Sequence, residues 1–77
     1  MKLITYAAPA STALRKQRAV SQAIIAKIER YAETGAGDVK ALVGRLGKRL
    51  RVGDFRVIFE EDSTTIRVLT LGPRGGV

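Results

Sequence analysis

Arg49-Leu50-Arg51-Val52-Gly53-Asp54-Phe55-Arg56-Val57-Ile58-Phe59-Glu60 is the stretch that decides the fold. Two β-rich runs, Lys48 to Val52 and Phe55 to Glu61, flank Gly53-Asp54. A two-residue loop with glycine first reads as a type II′ hairpin turn, and such a turn fixes the register. Val52 then pairs with Phe55, Leu50 with Val57 and Arg49 with Ile58, and Arg51 lies directly opposite Arg56. Because side chains alternate along a strand, Leu50, Val52, Phe55, Val57 and Phe59 share a core face. Arg49, Arg51 and Arg56 share the other.

Outward from the hairpin, Lys2 to Tyr6 alternates and predicts a first strand. Pro9 suits the first turn of a helix, where its missing N–H costs nothing, and that helix is expected to run to about Arg18. Val20, Ile24, Ile28 and Tyr31 recur at helical spacing, and Gly35 suits the left-handed position that ends a helix. Residues 35–38 read as a loop, and Lys40 to Gly44 as an ambiguous, short extended piece. Ile66 to Leu71 predicts the last strand, stopped by Gly72-Pro73. The expected fold is α+β in the order βααβββ, a helical hairpin packed on one face of a mainly antiparallel sheet. Its 77 residues fit one domain, 1–77.

Fourteen lysines and arginines stand against seven acidic residues, a net charge of +7. In so small a domain that field favours polyanions: RNA, DNA or an acidic protein. There is no cysteine and no histidine. Disulfides and thiolate sites are excluded, the commonest general base is absent, and no metal or other cofactor is expected. No apolar run is long enough for a membrane span or a signal peptide, so a cytoplasmic protein without membrane contact is expected.

Two arginines directly opposed in a sheet repel. Folding alone favours a Glu or Thr at one of the two positions. One reading is a solvated face that deters edge pairing or pairs with Glu60. The other is an anion site, because guanidinium groups stay charged and grip phosphate with paired N–H donors. Arg74, after the last strand, reads either as a residue that closes such a site from the tail or as a solvated tail residue. Lys48 falls on the core-side alternation and is expected to snorkel to solvent. Glu60, Glu61 and Asp62 read as a solvated turn, and Tyr6 and Tyr31 as core residues.

The quoted hairpin resembles the central hairpin of RelE-type toxins of the RelE/ParE toxin–antitoxin superfamily. Leu71-Gly72-Pro73-Arg74-Gly75-Gly76-Val77 resembles their C-terminal segment, and the helical hairpin fits in length and order. The resemblance implies a ribosome-dependent endoribonuclease that cuts mRNA by 2′-hydroxyl attack on the adjacent phosphate, without a metal, and so inhibits translation. Arg49, Arg51, Arg56 and Arg74 would be its catalytic residues, holding the phosphate and stabilising charge. The implied partners are mRNA on the ribosome and a cognate antitoxin protein, in a toxin–antitoxin hetero-oligomer.

Two departures stand out. Arg49 replaces a lysine frequent in the family's basic strand, and arginine is a poor base at neutral pH. A tyrosine usual just past the C-terminal motif has no counterpart through Val77. A ParE-like inhibitor of DNA gyrase and a catalytically weakened RNA- or partner-binding member therefore stand as alternatives.

Overall fold

The computed structural model describes residues 2–42 and 47–73. A first strand, β1 (Leu3–Tyr6), is followed by two helices, α1 (Ala8–Lys16) and α2 (Arg18–Thr34). Four more strands follow among the described residues: β2 (Asp38–Ala41), β3 (Lys48–Val52), β4 (Phe55–Glu61) and β5 (Thr65–Pro73). They form one sheet in the order β1-β5-β4-β3-β2, antiparallel except where β1 runs parallel to β5. This is the expected α+β arrangement of two helices on a mainly antiparallel sheet.

Each element has a local cause. Pro9 sits in the first turn of α1, as its missing donor allows. The first helix stops at Lys16, two residues short of the expected Arg18. Gln17 leaves helical geometry with φ −106° and ψ 50°, and its N–H caps back onto the Ala13 carbonyl. No glycine or proline marks that corner, so its position was not readable from composition. Gly35 ends α2 with φ 76°, donating its N–H to the Tyr31 carbonyl. Gly53 has φ 58°, while among the described residues no non-glycine residue has positive φ. That combination fits the type II′ turn.

The sheet extends beyond the sequence reading in two places. Strand β2 begins at Asp38, inside the expected loop, and Val39 faces Leu50 across the ladder. Its alternation, Asp38-Val39-Lys40-Ala41, spans only four residues and follows directly on Gly35-Ala36-Gly37, so it does not stand out from the loop. Lys40 and Ala41 of the ambiguous Lys40–Gly44 piece belong to this strand, while residues 43–44 lie outside the described residues. Strand β5 also runs on through Gly72 and Pro73, which pair with Arg56 and Phe55. A proline at the last position of a strand interrupts no ladder. Between Ile58–Thr70 and Phe59–Val68 the register shifts by one, leaving Leu69 as an unpaired bulge.

The core is one cluster. Ala10, Ile24 and Ile28 from the helices meet Leu50, Val57, Phe59, Ile66, Val68 and Leu71 from the sheet. All these sheet residues point to the helical side, so burial itself enforces the register. Slipping β3 against β4 by one residue would drive arginines among the helices. No helix among the described residues is long and apolar enough to cross a membrane.

Candidate functional site

The face of the sheet turned away from the helices is built by the hairpin register. Arg51 pairs with Arg56 and Arg49 with Ile58, as the turn dictates. On the edge side, Lys40 pairs with Arg49 and Asp38 with Arg51. On the other side, Thr70 pairs with Ile58 and Gly72 with Arg56. Arg49 and Arg56 are half-buried and Arg51 is exposed.

Among the described residues, the ion pairs are Lys2 with Glu61 and Lys48 with Glu61. Neither uses an arginine. Asp38 stands beside Arg51 in register without forming an ion pair, and the Arg51 Nε reaches only the Gly53 carbonyl, at 3.4 Å. Arg49, Arg51 and Arg56 are thus gathered on one surface, and among the described residues none of them forms an ion pair. Such a surface presents planar donor forks to an anion. Ile58 is only 7% exposed although it faces away from the helices, and neither it nor the half-buried Leu69 belongs to the core cluster. They give the arginines an apolar flank on the β5 side, where lower water content strengthens charge–charge contacts. Arg74 lies outside the described residues.

The opposite side of the same strands handles charge differently. Glu61 lies on β4, and its side chain is only 11% exposed. The sequence reading placed it in a solvated turn; that is corrected. Glu61 continues the alternation of Phe55, Val57 and Phe59 and therefore turns toward the helices. It accepts hydrogen bonds from Lys2 Nζ at 2.7 Å, Lys48 Nζ at 2.9 Å and the Tyr31 hydroxyl at 2.6 Å. Burial pushes its carboxyl pKa up, but these three donors outweigh burial and hold it at about 2. Burial, reinforced by the bond to Glu61, pushes the Tyr31 hydroxyl up, and the same carboxylate raises Lys48.

Lys48 does lie on the core-side alternation and remains 43% exposed, yet it ends on Glu61 rather than free in solvent. Tyr31 packs edge-on against Phe59, with ring centroids 5.4 Å apart. This settles it as a core-lining residue rather than a stacking platform. Asp62 does form a turn: its Oδ1 accepts from the Thr64 and Thr65 backbone N–H groups at 2.8 and 2.7 Å. Those bonds lower its pKa. Among the described residues no group of three acidic side chains converges as a metal site.

The sequence reading missed Lys40, because β2 itself was not legible. It also left aside Arg67, which pairs with Glu60 in register at the far end of the face.

No protein-family profile matches the chain, and no curated protein matches it in sequence. Solved structures do match its shape. A chain of the archaeal RelE–RelB complex of Pyrococcus horikoshii superposes with a TM-score of 0.78 at 23% identity, over 99% of this chain and 98% of that one. The RelB–RelE complex of Methanococcus jannaschii gives 0.72 at 20% identity, over 90% and 88%. The YoeB dimer of Staphylococcus aureus gives 0.73 at 16% identity, over 90% and 92%. The chain therefore has the fold seen in these toxin structures, over nearly its whole length.

Proposed function

We propose that this chain is the toxin of a type II toxin–antitoxin system and acts as a ribosome-dependent endoribonuclease of the RelE type. The observation that carries the reading is the Arg51–Arg56 opposition, with Arg49 beside it, none of the three in an ion pair among the described residues, on a fold otherwise seen in RelE and YoeB structures. A like-charge cross-strand pair works against folding. Its presence is explained by a ligand that supplies the missing negative charge.

In this reading the mRNA phosphate settles over Arg49, Arg51 and Arg56, and Arg74 closes on it from the tail. As the 2′-hydroxyl attacks, negative charge grows on the non-bridging oxygens. Guanidinium donors fixed on two paired strands stabilise that charge with little reorganisation. A guanidinium is a poor base at neutral pH, so the contribution is charge and position rather than proton abstraction. The bond from phosphorus to the 5′-oxygen of the next nucleotide breaks, water takes the 2′-hydroxyl proton and supplies one to the departing 5′-oxygen, and a 2′,3′-cyclic phosphate remains without the use of a metal.

The partner in the cell is an acidic antitoxin, in keeping with the antitoxin-bound state of the Pyrococcus and Methanococcus neighbours. Opposite potentials speed the encounter and fix its register. The protein works in the cytoplasm, where ribosomes are.

The test is a reconstituted translation reaction. Addition of the protein should stop synthesis and leave ribosome-bound mRNA cut, with 2′,3′-cyclic phosphate ends. The Arg51→Gln and Arg56→Gln variants should leave the message intact. Uncut message together with arrested gyrase supercoiling would reject the nuclease reading in favour of gyrase inhibition.

A further inference from the structure

The cross-strand register contains a second like-charge opposition. Lys40 on β2 lies directly opposite Arg49 on β3, one row along from Arg51 opposite Arg56. Lys40 is exposed and makes no ion pair among the described residues, although Asp38 lies two residues away on the same face of the same strand. The argument that singles out the arginines therefore applies to it independently. An edge-strand lysine also deters sheet-to-sheet pairing. That role asks only for a charge on the edge, and a residue opposite a neutral or acidic neighbour would meet it at lower cost.

The far side of the face is different. Beyond Arg56 and Arg49 come Gly72, Thr70, Ile58 and Leu69, and then Glu60 opposite Arg67. Positive charge is thus concentrated on β3 and the start of β4, continues onto β2 only at Lys40, since the other outward residue there is Asp38, and is diluted or balanced toward β5. With strands ~4.8 Å apart and alternate residues ~6.7 Å along a strand, Lys40 and Arg56 are on the order of 12 Å apart at the backbone. Long side chains can close that gap around one phosphate or reach two successive ones.

We infer that Lys40 is an RNA-positioning residue: it holds a phosphate next to the one gripped by the arginines, so that the strand leaves the site over the β2 edge rather than across β5. This rests on the RNA-binding reading of the arginine face. It adds the path of the strand and the residue that sets it.

The experiment is salt-dependent binding of a 2′-O-methyl oligouridylate decamer, which cannot be cut, to the full chain. Each lost contact to a single-strand phosphate lowers the slope of log affinity against log salt by about 0.7. Lys40→Gln should lower the slope by that amount and weaken binding several-fold at low salt, and Lys40→Arg should restore both. Arg67→Gln, at a position already balanced by Glu60, should change the slope by much less. A Lys40→Gln slope equal to that of the parent overturns the inference, as does an equal loss in Lys40→Gln and Arg67→Gln, which would indicate only a general field. Arg51→Gln separates the two levels. If it loses binding while Lys40→Gln does not, the strand path is wrong and the arginine site stands. If Arg51→Gln also binds as before, the arginine site itself fails.

Discussion

Lys48 and Arg49 are neighbours in sequence and point to opposite sides of one strand, and their charges are treated in opposite ways. On the helical side, Lys48 and Lys2 converge on Glu61, which the Tyr31 hydroxyl also reaches. On the outer side, Arg49, Arg51, Arg56 and Lys40 are gathered with no ion pair among the described residues. The first arrangement satisfies every member and ties β1, β3, β4 and α2 together. The second leaves repulsion in the sheet. A fold of this size buries a modest core, so unrelieved repulsion on that scale points to work done outside folding. The helical side is where stability resides, and the outer side is where the proposed function places binding.

The comparison can be broken by ranking stability effects. The largest is expected at Phe59, 1% exposed and central to the cluster. Phe59→Ala should cost about 3–5 kcal/mol in denaturant unfolding, enough to leave little folded protein. The next concerns Glu61. Its folded pKa of about 2 lies below the ordinary value of 4.5. A depressed acid contributes stability that is full above its unfolded pKa and is lost as pH falls through the folded one. Allowing for the partial exposure of Lys48, the contribution at neutral pH is about 2 kcal/mol. Glu61→Gln should remove it, and melting curves of parent and variant should converge as pH falls from about 4.5 toward about 2. The smallest effect is expected at Arg51. Arg51→Gln relieves a cross-strand repulsion and should leave stability within about 0.5 kcal/mol of the parent or raise it. A large loss there would mean that the outer face supports the fold, and the contrast would dissolve.

What the sequence disclosed follows the same division. The hairpin register was legible because Gly53-Asp54 admits few turns and because one-residue slippage would bury Arg51. The boundary of α2 was legible because Gly35 supplies the left-handed cap. Edge strand β2 was hidden by its length, four residues directly after Gly35-Ala36-Gly37 with only the small Ala41 beside Val39 on the inner face, and with it the place of Lys40 beside Arg49. The Leu69 bulge left no mark in a run that reads as uninterrupted strand. Glu61 was misjudged because its neighbours Glu60 and Asp62 do face solvent. Only the continued alternation from Phe59 distinguishes it, and only the tertiary approach of Lys2 and Tyr31 shows why a carboxylate is tolerated there.

The central claim is that the outer arginines serve a bound phosphate and not the fold. It is tested most directly by measuring, on one preparation of the Arg51→Gln/Arg56→Gln double variant, the thermal melt and the affinity for the uncleavable oligouridylate at low salt. The account predicts a melting temperature equal to or above that of the parent, with binding lost. A variant that melts well below the parent, or one that melts like it and still binds RNA as tightly, would contradict it.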